Sequence, residues 1–535
     1  MLTSLKGSPG QLGEIRRELI AERLRDAAGK ASEERRLPGL SVGAAMFVAP
    51  HRGSPRPRSH KFCGAWAAKR TTPRYGFGRT ELLGVEMQRT SVELFAGGGG
   101  LVQASTNTGF RHLLLNEFAK RACETLEGNR FEAFPADIDS EVLAKWLDQI
   151  DQQRAEGFDA AGAIERPQHP PLVTGDVREL DMRFLRDRDV DLLAGGPPCQ
   201  PFSLGGVAKG DEDERNMFPE MFRAVREIRP KAVICENVRG LLRPSFKPYF
   251  EYIKRELSLP FVKRQDGATW QRHDHALQER LDARDTDPAE TYKVTQHAVN
   301  AADYGVPQIR NRVILLAFRA DLAVDPDLVK RAVARTHSHA ALARTILEGS
   351  YWNRHKQAGA KIPKRVIDLV TSRYADEQLS FESGDETLQP WLTLRDAIMG
   401  LPEINTSKLD KTTEQGGFPD HIGWPGARIY DGHTPNELDR PAKTVKAGVH
   451  GVPGGESVMQ LDNLVHDEKT GQLRPEHRYM TVRETARVMT FGDNWSMAGP
   501  RGERMRQLGN AVPVKLGEVF TSAVAKALDD AERRS

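Results

Sequence analysis

Cys199 stands in the stretch Ala194-Gly195-Gly196-Pro197-Pro198-Cys199-Gln200-Pro201-Phe202-Ser203, where its surroundings suit a nucleophile. The apolar run 190–194 predicts a buried strand. Two glycines and two prolines end it abruptly. A thiol on a stiff turn at a strand's carboxyl end points into the crevice where open α/β sheets bind ligands. A cysteine that merely fills a core, the commoner state of a free thiol, needs no such turn. A free thiol titrates at about 8.5, so Cys199 needs a nearby positive charge or dipole to act as a thiolate.

Three other stretches carry chemistry. Phe95-Ala96-Gly97-Gly98-Gly99-Gly100 lies between an expected strand at 91–96 and a helix from Leu101. Glycines there let a ligand approach the backbone at a helix amino end. The pattern is not GxGxxG, because Val102 takes the place of the third glycine. Glu117 closes the next expected strand, 112–116, at a spacing where a carboxylate suits a ribose diol. Cys235-Glu236-Asn237-Val238-Arg239-Gly240 ends a buried strand with a second carboxylate. In Gln308-Ile309-Arg310-Asn311-Arg312, strand alternation puts Gln308, Arg310 and Arg312 on one face. Two guanidinium forks on one side suit phosphate or a carbonyl oxygen, although arginines ahead of a strand are usually just solvated.

These stretches resemble, in order from about 88 to 525, the motifs of the DNA (cytosine-5) methyltransferases. Tyr304-Gly305-Val306-Pro307, 478–487 and Gly509-Asn510-Ala511-Val512-Pro513 resemble that family too. The resemblance implies S-adenosylmethionine as cofactor, held by Phe95, Ala96, Gly97, Gly99, Glu117, Asp176, Pro197, Asn510 and Val512. It implies a catalytic set of Cys199, which attacks cytosine C6, Glu236 at N3, Arg312 at O2, and Arg310 supporting the loop and pocket. Adding a thiolate at C6 makes C5 nucleophilic enough to take a methyl group. The target base must leave the duplex stack to be reached. Gln200 and Ser203 follow the thiol on a loop that could close over DNA. Lys443 and Thr444, within 439–445, and the glycine-rich stretch 450–456 look like recognition loops. Thr481 with Glu484 also reads as a capping box.

Strands alternating with helices over 91–318 imply a doubly wound, mostly parallel, Rossmann-like sheet. The stretch 131–170 reads as a polar, irregular insertion. Periodicity weakens from 326 to 474, which suggests a smaller target-recognition domain of irregular build. The expected organisation is therefore a basic arm 1–86, a catalytic domain 87–325, a recognition domain with its supporting segment 326–499, and a return segment 500–535.

At 535 residues, with 39% hydrophobic and 28% charged, the chain has the composition of a globular protein. The net charge of +3 says little about nucleic acid, so local patches must carry that argument. Its four cysteines, Cys63, Cys123, Cys199 and Cys235, form no CxxC pair, so neither a zinc site nor a disulfide framework is expected. No apolar run approaches the ~20 residues that span a bilayer. A cytoplasmic monomer acting on double-stranded DNA is expected, with a cognate restriction endonuclease as a genetic partner. The same chemistry on tRNA, a nicotinamide oxidoreductase and a non-catalytic DNA-binding regulator are the other readings. Val102 counts against the oxidoreductase, the intact Cys199, Glu236 and Arg312 against the regulator, and the large region 326–474 favours DNA over tRNA.

Residues 51–80 carry eight Lys or Arg and no acid, so they read as a flexible basic arm. A chain beginning at Met87 is therefore expected to fold and to methylate the same sites as the full chain. The full chain should bind DNA more tightly at low salt and with a steeper salt dependence. Binding curves across a salt series for both chains check this, and an inactive shorter chain would make the arm part of the folded enzyme.

Overall fold

The structure is a computed structural model that describes residues 89–155, 169–198, 216–377, 387–429, 434–447, 457–467 and 470–534. Cys199, Gln200, Ser203, the stretch 450–456 and the basic arm with Met87 lie outside the described residues.

Eight strands form the central sheet: β1 (Arg89–Leu94), β2 (Phe110–Glu117), β3 (Glu132–Pro135), β4 (Pro171–Thr174), β5 (Leu192–Gly195), β6 (Ala232–Val238), β7 (Tyr292–Asn300) and β8 (Asn311–Arg319). Their order is β3-β4-β2-β1-β5-β6-β8-β7. Every pairing is parallel except those of β8, which runs antiparallel to both β6 and β7. The expected mostly parallel, doubly wound α/β sheet is thus present. Its central strands are near-continuous apolar runs because both faces are covered.

Alternation along the strands divides the core in two. Val92, Leu94, Leu193, Val233 and Leu315 pack on helices α3 (Ser140–Ala155), α4 (Phe218–Ile228) and α5 (Lys247–Ser258), which follow α1 (Gly100–Asn107) and α2 (Lys120–Gly128). Leu192, Ala194, Ile234 and Leu316 face the other way, towards Leu101 of α1 and the apolar face Leu516, Phe520 and Val524 of the last helix. That helix, Val514–Arg534, covers this face, and its last turns reach the amino end of β1. Arg89 at the start of β1 reaches Asp191 at 3.0 Å and Asp529 at 2.6 Å, and also pairs with Glu532.

Within 131–170, the described residues 131–155 are regular, not irregular as expected. They hold edge strand β3 and the 16-residue α3, whose Leu143, Leu147 and Ile150 are buried in the sheet's core. These three sit at helical spacing, but the charged and polar residues between them dilute the signal.

The region after 325 is also more regular than expected. Helix α6 (Trp270–Ala283) precedes β7, and the region after 325 runs through α7 (Pro326–Ala332), β9 (His337–Ser338), α8 (His339–Leu347), α9 (Ser350–Gln357), α10 (Lys364–Glu377), β10 (Gln389–Pro390) and α11 (Leu394–Ile398). Helices α8 to α10 bury their own cluster of Leu342, Ile346, Tyr351, Trp352, Val370 and Tyr374. An antiparallel hairpin follows, β11 (Val458–His466) with β12 (Leu473–Tyr479). Then come α12 (Val482–Val488), α13 (Arg501–Asn510) and α14 (Val514–Arg534). Thr481 caps α12 with the expected capping box: Glu484 N–H donates to Thr481 Oγ1 at 3.0 Å, and Thr481 N–H donates to Glu484 Oε2 at 2.8 Å. Apolar packing crosses 499/500, since Val482, Val488 and Met497 share one cluster with Met505, Leu508, Val514 and Ala104 of α1. No helix among the described residues is long and apolar enough to cross a membrane.

Glu93 of β1 is 1% exposed, with the Ser105 hydroxyl of α1 against its carboxyl group. Burial pushes its pKa up to about 8, and burial pulls that of the neighbouring His112 down to about 4. Both are therefore neutral near pH 7. A protonated Glu93 leaves Ser105 free to donate its one hydroxyl proton to Leu101 O, 2.8 Å away. Folded Glu93 keeps a proton that the unfolded chain releases near 4.5, so its contribution to stability falls as pH rises from 4.5 to about 8. Folded His112 lacks a proton that the unfolded chain holds up to 6.5, so its contribution rises between about 4 and 6.5. The two oppose each other in the shared range, and above it only Glu93 acts. From pH 6.5 to 8 stability should fall by up to about 1.4 kcal/mol per pH unit. Glu93→Gln should remove that slope in urea unfolding, and an unchanged slope would mean Glu93 is ionised in the fold.

Candidate active site

The glycine turn between β1 and α1 is shaped by close contacts. Phe95 has φ +58°, and Gly99, the N-cap of α1, has φ +88°. A Cβ at Gly99 would lie 2.3 Å from Trp495, and one at Gly100 would lie 2.1 Å from Val512 O. The segment after α12 therefore seats directly on the turn, and no side chain fits at these two positions. Trp495 Nε1–H donates to Gly98 O at 3.0 Å, and Arg483 holds the Trp495 carbonyl from the other side at 2.9 Å.

Glu117, at the end of β2, reaches the same turn. Its Oε2 accepts from Gly97 N–H at 2.7 Å and its Oε1 accepts from Ala119 N–H at 2.6 Å. Burial raises its pKa, opposed by those backbone donors. Phe118 beside it is 74% exposed, an aromatic face presented at the sheet's carboxyl edge. Asp176 lies one turn away, since Gly175 N–H donates to Glu117 O at 2.9 Å. The guanidinium of Arg178 grips both Asp176 oxygens and holds its pKa below the usual carboxylate range. Ala96 is tied to the end of β2, its N–H donating to Asn116 O at 3.0 Å.

The catalytic candidates meet on the same edge. β5 ends at Gly195, level with Cys235, so the stem of the Cys199 stretch rises beside Glu236. Asn237 Nδ2–H donates to Pro197 O at 3.0 Å, and Met217 N–H donates to Pro198 O at 3.1 Å. The chain thus leaves for Cys199 and returns from it through one anchored neck. Because β8 runs antiparallel to β6, its start lies at the carboxyl edge, with Arg312 opposite Val238 and Ile314 opposite Glu236. Alternate residues share a face, so Arg312 reaches across: its Nε lies 2.7 Å from Glu236 Oε1. The contact is an ion pair without hydrogen-bond alignment, which leaves Glu236 Oε1 buried and without a hydrogen bond.

Gln308 and Arg310 are buried and Ile309 is exposed, as alternation requires. Arg310 does not face Glu236's oxygens. It donates to Val445 O at 2.9 Å, Gly509 O at 2.8 Å and Ala511 O at 2.9 Å, and burial lowers its pKa. It is a positioning residue that ties two chain segments, at Val445 and at 509–511, to the lead-in of β8. Val512 lies against Gly100, and Asn510 is exposed at the end of α13. Lys443 and Thr444 are half-buried: Lys443 Nζ donates to Thr434 O at 2.7 Å and Thr444 Oγ1 donates to Ile309 O at 2.7 Å. Both tether their segment to its neighbours.

Sequence reasoning did not find Phe118, Asn237, Trp495 or Arg483. Phe118 had a signal, an aromatic directly after the strand-end carboxylate. Trp495 had none, because its partner Gly98 lies 397 positions away.

A mostly parallel sheet whose carboxyl edge gathers a glycine turn, a buried strand-end carboxylate and a carboxylate–guanidinium pair has the build of cofactor-dependent α/β enzymes. The family model for C-5 cytosine-specific DNA methylase matches residues 146–259 and 272–526, so the chain belongs to that family. Cys199, Glu236, Arg310, Arg312, Asn510 and Val512 lie inside the matched residues, and the glycine turn and Glu117 precede them. The chain is 28% identical over 448 residues to Type II methyltransferase M.Eco47II of Escherichia coli, covering 83% of this chain and 81% of the relative. It is 27% identical over 444 residues to Type II methyltransferase M.NgoMIV of Neisseria gonorrhoeae, covering 83% and 99%. Among solved structures, the S. pombe Dnmt2 methyltransferase matches with a TM-score of 0.43 at 15% identity, over 82% of this chain and 99% of that one. The activity is methylation of DNA cytosine at carbon 5.

Glu117→Ala should weaken S-adenosylmethionine binding by about 1–3 kcal/mol, as for a lost charge-assisted hydrogen bond. In the ribose-binding role that the resemblance implies, Glu117 should accept best as a carboxylate, and burial raises its pKa. Wild-type affinity should therefore climb as pH rises through a range above that of ordinary carboxylates, and the Glu117→Ala profile should be flat there. Equilibrium cofactor titrations across pH check both, and parallel profiles would remove Glu117 from the pocket.

Proposed function

We propose that the chain methylates cytosine within a specific double-stranded DNA sequence, using S-adenosylmethionine and a covalent Cys199–C6 adduct. The observation that carries this reading is the Glu236–Arg312 pair, 2.7 Å apart, beside the anchored neck of the Cys199 stretch. The residues at the cofactor end suit an adenosyl donor: a turn with no room for side chains, a buried carboxylate, and an exposed aromatic at Phe118. S-adenosylmethionine supplies an electrophilic methyl group on sulfur. Glu117 takes the ribose hydroxyls, Phe118 lies along the adenine, and Asp176 accepts from its amino group while keeping Arg178. Phe95 lies against the sulfonium end, as an aromatic face favours a cation.

At the other end, the Cys199 thiolate adds to C6 of a cytosine turned out of the duplex. Arg312 donates to cytosine O2. Glu236, whose Oε1 lacks a hydrogen bond, engages N3 and stabilises the ring while C5 is methylated. Loss of the C5 proton then expels Cys199. The region 326–499 reads the DNA sequence, with Gln200 and Ser203 closing over the substrate. The names of the relatives support a place in a type II restriction–modification pair, with a cognate endonuclease as genetic partner. We place the enzyme in the cytoplasm as a monomer.

DNA carrying 5-fluorocytosine at the target should trap a covalent complex, because fluorine does not leave as a proton does. Cys199→Ser should give none. Denaturing gels with labelled DNA read the result, and an adduct of normal yield in Cys199→Ser would remove that thiol from the reaction.

A further inference from the structure

Arg395 of α11 is nearly buried, with 8% of its side chain exposed, and it binds two carboxylates from distant parts of the small domain. Its Nε and Nη2 donate to Asp439 at 2.6 and 2.9 Å. Its Nη1 and Nη2 donate to Asp462 of β11 at 2.7 and 2.9 Å. Tyr351 of α9 adds a hydroxyl to Asp439 Oδ1 at 2.8 Å, and Tyr374 of α10 donates to the Asp439 carbonyl at 3.1 Å. A planar fork with five N–H donors serves both carboxylates with two hydrogen bonds each.

What this guanidinium joins gives it a role. Asp439 belongs to the segment that runs on to Ala442 and Thr444, and that segment is fastened to the lead-in of β8 by Ile309 N–H to Ala442 O at 2.8 Å and by Thr444 to Ile309 O. Asp462 belongs to the β11–β12 hairpin. A second tie runs parallel: Asn436 N–H donates to Val458 O at 2.8 Å, and Gln460 N–H donates to Asn436 O at 2.8 Å. The hairpin is therefore located relative to Glu236 and Arg312 through one buried charge cluster and the 436–445 segment. A two-stranded ribbon has the dimensions to enter a major groove.

We infer that Arg395, through Asp439 and Asp462, is a positioning residue for target choice: it sets where the hairpin side of the small domain stands over the DNA relative to the catalytic edge. This rests on the reading of 326–499 as the part that recognises sequence. Loosening the clamp changes which flanking bases are accepted and leaves the chemistry at carbon 5 intact. The effect is one of specificity because the clamp touches neither the glycine turn nor the Glu236–Arg312 pair.

The test uses the full chain with Asp462→Asn, which keeps the Arg395–Asp439 pair and changes a residue that is 17% exposed. Arg395→Lys is the second variant, since an ammonium cannot fork. Bisulfite sequencing of DNA methylated by the wild type defines the target. Then kcat/KM is measured on the target duplex and on duplexes with single flanking changes. The expected result is a loss of discrimination of about ten-fold, the scale of one mismatched position. The kcat on the target, S-adenosylmethionine affinity and melting temperature should stay at wild-type values for Asp462→Asn. Unchanged discrimination in the folded variants overturns the inference, and so does a parallel loss of kcat and cofactor binding, which would make the cluster a folding element alone. Exchanging 326–474 for the matching region of a relative separates the two levels. If the hybrid keeps its original target, the recognition reading itself fails. If its target moves while Asp462→Asn discriminates normally, only the clamp fails.

Discussion

Glu236 and Arg312 face each other because one strand runs backwards. If β8 were parallel like its neighbours, its first residues would sit at the amino edge, far from the ligand crevice. The reversal brings Arg312 to the carboxyl edge, opposite the last turns of β6. From this pair the connections spread outward. Asn237, next to Glu236, holds Pro197 and so the neck of the Cys199 stretch. Arg310, two residues before Arg312, holds Val445, Gly509 and Ala511. A buried guanidinium must find acceptors, and three carbonyls from two segments take the Nη groups of Arg310. The cost of burying Arg310 is thereby converted into a fixed geometry between the sheet, the small domain and the last motif.

The cofactor end depends on close backbone approach. Gly99 and Gly100 leave space that Trp495 and the Val512 carbonyl fill. Residues late in the chain, Trp495 and Val512, therefore pack directly on the turn that follows β1. The apolar packing agrees, since Ala104 of α1 shares a cluster with Met497, Leu508 and Val514. The catalytic end and the recognition side are joined by the same logic. The 436–447 segment is fastened to the β8 lead-in at one end and to Arg395 at the other, with helices α8 to α10 supplying a separate apolar base beneath it.

Much was legible in local residue patterns. Strand, glycine turn and helix followed each other at β1 and α1 as apolar run, glycines and renewed periodicity. Glu117 and Glu236 stand at strand ends because apolar runs stop there. The alternation of Gln308, Arg310 and Arg312 predicted a shared inward face, and all three turn inward. The α3 helix is hard to read locally because its anchors Leu143, Leu147 and Ile150 are interrupted by exposed Lys145, Asp148 and Gln149, as in a half-exposed helix. Helices α8 to α10 are hard to read for a related reason: their core is small and aromatic, so the apolar count stays low although Tyr351 and Tyr374 are fully enclosed.

By itself, then, the sequence determined which residues could do chemistry, the order in which they occur, and the α/β alternation that carries them to one edge. Those are properties of neighbours within a few positions, where propensity, periodicity and capping act. Tertiary structure decided the partners. Alternation set Arg310 and Arg312 on one face, and the fold gives Arg312 a carboxylate and Arg310 three carbonyls. Lys443 and Thr444 tether their own segment to Thr434 and Ile309, partners no local stretch names. Trp495 meets Gly98 across almost the whole chain. Such choices follow from which surfaces the packed core leaves adjacent and from the need of every buried polar group for a partner, and neither is written in any local stretch.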